Sequence, residues 1–265
     1  MLRDFPKGFY LVYIPMTLLA FITIGLLIAG IISPYYLIGS FVMWILVCGL
    51  GIACGYHRVF SHKTHKLSTW KENIILFFAV FAGQGSSVWW VAVHRGLHHR
   101  YTDKIEDIHS PISHSIFQSY MGWFMDMTEN NLKVNIKYSV DLLRKTNHLW
   151  FYKHYLKIIW GVPLLICLFD WKLAFTCFFL VTGYGLIQDN LINVLGHRKA
   201  IIGYRNFNTN DNSQNNVIMG YLTWGQGWHN NHHHSQGSYN FGKEISGKWW
   251  EFDPCVIFLP FLNYD

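Results

Sequence analysis

Residues 9–32, FYLVYIPMTLLAFITIGLLIAGII, run for two dozen positions without a charged side chain, and residues 35–55 repeat the pattern. As a helix, about 20 apolar residues cross the roughly 30 Å of a bilayer's hydrocarbon core. The second half of the chain holds another such pair, 153–169 and 171–195, the former with Lys153 and Lys157 able to snorkel from its end. The first run is too long for the apolar core of a signal peptide, and the SPYY that follows it makes a poor cleavage site, so it is expected to be retained. Composition agrees: charged residues make up 14% of the chain and aromatics 18%. Soluble domains carry about 25% charge, so much of this surface is expected to face lipid.

SPYY and FDWK join the runs into two hairpins. Of the 21 Lys and Arg, only Lys172 falls at a hairpin tip. The others lie before the first run, within 56–157 or after 197, which places those regions in the cytoplasm by the positive-inside rule. The expectation is an all-α integral membrane protein: four transmembrane helices in two hairpins (about 9–32, 35–55, 153–169 and 171–195) under a cytosolic helical cap, 56–152 and 196–265. Residues 1–265 then form a single domain. A fifth apolar segment, 73–93, is interrupted by Gly83-Gln84-Gly85 and is expected at or just below the cytoplasmic interface; 115–125 reads as an interfacial amphipathic piece. The net charge of +6 comes without a dense basic run, so no nucleic-acid partner is expected. The five cysteines are scattered, with no C-x-x-C pair, and read as small buried hydrophobes.

The histidines carry the chemistry. Nine of the 15 fall in four groups. They are His57 and His62 in HRVFSH; His94, His98 and His99 in HRGLHH; His197 in NVLGH, with Asn193; and His229, His232 and His233 in GWHNNHHH. Each group lies at the cytoplasmic end of an apolar segment or in the tail, so all sit at one depth. On a regular helix residues four apart share a face, whereas residues five apart are turned by roughly 140°. His94 with His98, Asn193 with His197 and His229 with His233 are therefore expected to converge. His57 with His62, and His94 with His99, diverge if their helices stay regular. Nine imidazoles exceed the places around one ion, so two metals sharing the set is the simpler account. A His-rich, Cys-free site with room for a small molecule points to redox iron, here two Fe2+, whereas a structural zinc favours thiolates. Asp103, Glu106, Asp107 and Asp211 are candidates to orient the imidazoles. His65, His109, His114, His148, His154 and His234 are expected to be ordinary surface or core residues.

The motifs GYHRVFSHKTHK, WWVAVHRGLHHRYTDKIEDIHSP, SYMGW, NVLGH, GYRNF, DNSQNN, GQGWHNNHH and WWEFDP, in that order from about residue 55 to 254, resemble the membrane fatty-acid desaturases of the stearoyl-CoA branch and its bacterial relatives. The resemblance implies a di-iron centre with ligands His57, His62, His94, His98, His99, His197, His229, His232 and His233, and Asn193 acting through a water. It also implies that Gln84 and Trp90 line the bend of a buried acyl tunnel. Three departures stand out. The second box reads H-x-x-x-H-H, one residue longer than the H-x-x-H-H of that branch. Gln226 stands where relatives commonly have Glu, and Ala92-Val93 replace an Arg-Asp pair that holds the coenzyme A head in animal enzymes.

The expected activity is O2-dependent desaturation of a fatty acyl thioester or lipid, leaving a cis double bond near the middle of a C16–C18 chain. The expected partners are membrane lipid and a separate electron donor, a ferredoxin or a small cytochrome with its reductase. A bacterial inner membrane, with the site facing the cytoplasm, is the expected location. A hydroxylase or ketolase of the same His-box type is the nearest alternative. A metal transporter fits less well, because transporters place ligands near the bilayer midplane and only Asp189 lies deep in the fourth run. A bis-histidine haem protein gives no reason for nine imidazoles.

Overall fold

The computed structural model describes residues 6–128, 131, 135–198 and 203–263, and these are mostly helical. In chain order the principal elements are α1 (Phe9–Ile28), α2 (Pro34–Ser61), α3 (Thr69–Val80), α4 (87–101), α5 (146–169), α6 (171–195), α7 (Val217–Leu222) and α8 (His229–His234). Gly203–Tyr204 and Asn215–Asn216 form a two-residue antiparallel pair, a small exception to the all-helical expectation. Among the described residues three helices are long and apolar enough to cross a membrane: Phe9–Ile28, Pro34–Ser61 and the continuous Thr146–Leu195.

The last of these is bent back on itself, and Asp170 is the reason. Its backbone is extended (φ −151°, ψ 98°), and its Oδ1 accepts from the N–H groups of Lys172 and Leu173 at 2.9 and 3.2 Å, capping α6. Tyr36 donates its hydroxyl to the other carboxylate oxygen at 2.8 Å, tying this turn to the start of α2. The rings of Trp160 and Phe179 lie 6.2 Å apart. On a straight helix the same residues would be separated by about 28 Å, so α5 and α6 run antiparallel.

α6 is the common neighbour. α1 runs antiparallel to it, with Thr23 donating to the Phe175 carbonyl at one end and Asn190 donating to the Tyr13 hydroxyl at the other. α2 lies parallel to it: Ser40 donates to the Thr176 carbonyl and Trp44 to the Gln188 side chain. Apolar side chains point outward from this bundle; Ile28 and Phe169 are each 83% exposed. Water would penalise that surface and hydrocarbon would not.

α3 departs from the interfacial position expected for 73–93. Its Ala79 packs on Gly51 and its Ile75 on Gly55, two α2 positions where a Cβ would collide. Beyond its end, Phe81 packs on Phe178 and accepts from the Thr182 hydroxyl at 2.6 Å, so the segment reaches well along α6. Ile75, Leu76, Ala79 and Val80 are all fully buried. An apolar segment gains from being covered, and here α2 and α5 supply most of the cover for α3, with Phe81 reaching α6. The interruption falls where the sequence places it: Gly83 and Gly85 have φ of 77° and 87°, open to glycine at little cost. In 115–125, Ile116 and Phe117 are exposed while Trp123 and Phe124 are buried. The apolar tail packs on the α2 side of the cap through the buried Cys255, Phe258 and Leu262.

Candidate metal centre

The end of α2 is not a regular α-helix. The N–H of His62 bonds to the carbonyl of His57, five residues back, and the same wide turn recurs where the N–H of His99 bonds to the carbonyl of His94. Such i→i+5 turns bring residues five apart onto one face. The rings of His57 and His62 lie 5.0 Å apart, and the Nε2 atoms of His94 and His99 are 2.9 Å apart. The pairing expected for a regular helix is thus corrected in α4: His94 joins His99, and His98 turns away to another set. The widened turn also absorbs the extra residue of the H-x-x-x-H-H box.

Two sets result. His57, His62, His94, His99 and His232 place one ring nitrogen each within 4.8 Å of one another, and so do His98, His197, His229 and His233. Each of the nine histidines singled out in the sequence falls in one set or the other. His229 and His233, four apart on α8, share a set as the regular spacing requires. Asn193, one turn before His197, lines the adjoining cavity with His94 and His229.

α8 has only six residues and is held in place by its asparagines. Asn231 accepts from the side-chain amides of Asn206 and Asn215 (2.8 Å each) and donates to the Phe241 carbonyl (2.9 Å) and to Glu251 (2.6 Å). Asn230 accepts from the backbone N–H groups of Asn206 and Phe207, both at 2.8 Å. Asn230 and Asn231 are therefore a scaffold, satisfied bond by bond. Next to His57, the fully buried Arg58 bonds Asp253 at 2.8 Å and the Tyr239 carbonyl at 2.7 Å, tying α2 to the tail.

Three of the four acidic candidates stand behind imidazoles. Asp107 lies 3.1 Å from His98 Nδ1, Asp103 3.2 Å from His197 Nδ1 and Asp211 2.8 Å from His233 Nδ1. Glu106 is exposed. Burial, reinforced by the neighbouring imidazoles, holds His94, His99, His229 and His232 well below the ordinary histidine range. The same causes bring His62 down to about 3. Burial also brings His233 down, to about 4, against the pull of Asp211. For His98 burial is outweighed by Asp107, and its proton affinity rises. Neutral imidazoles with free lone pairs are what a metal ion needs.

The donor set can be tested against that need. In the five-histidine set the Nε2 atoms form a chain of close contacts: His57 to His232 (3.0 Å), His232 to His99 (3.1 Å), His99 to His94 (2.9 Å) and His94 to His62 (3.1 Å). A neutral ring nitrogen either donates one proton or offers one lone pair, so the interior members cannot satisfy two nitrogen neighbours each. A cation among them accepts all the lone pairs at once. In the second set His233 Nε2 is buried without a hydrogen-bond partner, while its Nδ1 is held by Asp211. The residues present fit metal ions in both sets.

A cavity adjoins both sets. Trp90 forms one wall, stacked on His94 with ring centroids 4.7 Å apart, and donates its Nε1–H to Gln84 Oε1 at 2.8 Å. Gln84 in turn donates to the Asp189 carboxylate, which also accepts from Gln226 at 3.0 Å and Gln188 at 3.2 Å. Gln226 thus serves Asp189 with a neutral amide where a Glu would repel it. The apolar wall residues Trp89, Val93, Trp123 and Ile192 escape the sequence reading, and so does one histidine. His109, expected to be ordinary, lines the cavity with its ring 4.4 Å from Trp123 and its Nε2 unpartnered. Its nearest sequence signal is Asp107, two residues before, whose Oδ1 accepts from the His109 N–H.

Long apolar helices carrying a buried, two-lobed histidine cage define a protein of the membrane metal-binding type. The fatty acid desaturase family model matches residues 34–238. The chain is 32% identical over 231 residues to an acyl-CoA 5-desaturase of Anemone leveillei, covering 82% of this chain and 66% of that protein. It is 31% identical over 246 residues to a delta-9 acyl-lipid desaturase of Arabidopsis thaliana, covering 88% and 75% respectively. An sn-1 stearoyl-lipid 9-desaturase of Synechocystis is 28% identical over 233 residues, covering 84% and 68%. The chain belongs to the fatty acid desaturase family, which places it among the oxidoreductases of the acyl desaturase class.

Proposed function

We propose that this chain inserts a cis double bond near the middle of a C16–C18 acyl chain, carried as a thioester or in a lipid, using O2 and electrons from a separate donor. The overall change balances simply. One hydrogen leaves each of two adjacent methylenes, two electrons come from the donor and two protons from solvent, and O2 becomes two waters. Two iron ions, one in each histidine set, would supply the oxidising power that an unactivated methylene demands and side chains lack.

The observation that carries this reading is the cavity bounded by members of both sets and closed by Trp90. In this reading His57, His62, His94, His99 and His232 hold one ion and His98, His197, His229 and His233 the other, with Asn193 reaching the second through a water. Gln84 and Trp90 lock each other in place, so the wall beside His57 and His94 is stiff. A stiff wall fixes which methylene faces the metals. Burial of the set keeps bulk water from the reacting carbon. The four arms α1, α2, α5 and α6 would span the membrane, a bacterial inner membrane in this reading, with the cage on the cytoplasmic side.

Gas chromatography of total fatty acids from cells expressing the protein tests the proposal. New monounsaturated chains are the expected result. Hydroxylated or keto acids with no new double bond would transfer the chain to the sister activity.

A further inference from the structure

The two histidine sets differ in what stands behind them. Three of the four imidazoles in one set, His98, His197 and His233, face Asp107, Asp103 and Asp211 at 3.1, 3.2 and 2.8 Å. His197 Nδ1 meets Asp103 at ion-pair distance without hydrogen-bond geometry, and the fourth imidazole, His229, has a buried Nδ1 with no carboxylate beside it among the described residues. In the other set the Nδ1 atoms of His57, His99 and His232 are buried without partners, and among the described residues no carboxylate lies within ion-pair distance of any of its five members. The charged side chains acting on His62 are the cations Arg58 and Arg95, each paired with its own acid, Asp253 and Asp141.

We infer that the four-histidine set holds its ion more tightly than the five-histidine set, so that the centre fills and empties one site at a time. The inference rests on the two-metal reading above and assigns Asp103, Asp107 and Asp211 as positioning residues for one ion only. A carboxylate behind an imidazole fixes its tautomer, raises its basicity and offsets the charge of the bound ion; removing one such partner costs about 10–100-fold in affinity. Three together, at the low end of that range, amount to roughly 1,000-fold if independent. The competing term is the fifth imidazole of the other set, a single neutral donor in a cage where a dication meets no counter-charge. The carboxylates win that comparison.

Metal-free protein in detergent, titrated anaerobically with Fe2+ against a chromogenic chelator, gives bound metal as a function of free metal without any turnover. Two steps of one ion each are expected, at least about tenfold apart. Asp211→Asn should weaken the tight step about 10–100-fold and leave the loose one in place. His62→Ala should abolish the loose step and spare the tight one. If Asp211→Asn does not fold, Asp107→Asn carries the same expectation, with near-ultraviolet circular dichroism of the metal-free protein as the check on folding. A single cooperative two-ion step in the unmodified chain, or loss of the tight step in His62→Ala, would overturn the inference while leaving a two-metal centre intact. Folded protein that takes up no Fe2+ at all would instead remove the metal reading beneath it.

Discussion

The wide turns of α2 and α4 and the short regular helix α8 deliver imidazoles to one cage by opposite means. In the first case the histidines are five apart and the turn is held by close packing. A Cβ on Gly55 would fall 2.1 Å from Ile75, and one on Gly96 would fall 2.1 Å from the Tyr138 ring. In the second case the histidines are four apart, and a helix of six residues cannot hold itself in water. Hydrogen bonds donated by Asn206 and Asn215 and one accepted by Glu251 hold it instead. A wide turn gives up backbone regularity and depends on shape; a short helix keeps regularity and depends on polar partners.

The largest effect is expected where the two supports meet. His232, on α8, touches His57 and His99 from the wide turns at 3.0 and 3.1 Å. His232→Ala should abolish new double bonds and lower bound iron, read by gas chromatography and metal analysis; retained product would separate the two regions functionally. Next comes Asn231→Ala, which takes the acceptor from the Asn215 amide, the donor from the Phe241 carbonyl and one donor from Glu251, which keeps Tyr204 and Asn206. A loss of about 3 kcal/mol is expected, seen as a fall in melting temperature. Gly96→Ala should cost less, about 1–3 kcal/mol, because the Tyr138 ring must move. If it costs more than Asn231→Ala, packing rather than polar bonding is the stronger support.

The smallest effect concerns α3, which buttresses the wide turn. Glu72 at its start is buried, which raises its proton affinity, but bonds from His148, Asn147 and Lys145 win and bring it down to about 2. A carboxyl depressed by folding stabilises the fold above its usual range near 4.5, and that contribution drains away as pH falls toward 2. Glu72→Gln should therefore lower stability at neutral pH, leave it nearly unchanged near pH 2, and so flatten the acid slope of a stability-against-pH curve.

Much of this was legible in residue order. Uninterrupted apolar runs announced the long helices, and FDWK marked the reversal at Asp170. Grouping alone picked out the nine histidines of the cage, because no other chemistry asks for so many at one depth. The partition between sets was not legible. It depends on whether a helix opens by one residue per turn, and the glycines and partners that permit this, Ile75 for Gly55 and Tyr138 for Gly96, lie 20 and 42 positions away. The depth of α3 was hidden for a similar reason: an apolar stretch says that it must be covered, not by what. His109 was missed because an isolated imidazole carries no pattern of its own.

The contact between Arg58 and Asp253 has a practical consequence. The final segment of the chain works as a clasp on the helix that presents His57, so trimming the protein before residue 253 would strand a guanidinium beside the metal-binding rings. Such a truncation would be expected to register first as a colour or metal-content defect, at the opposite end of the sequence from the cut, before any loosening of the tail itself was noticed.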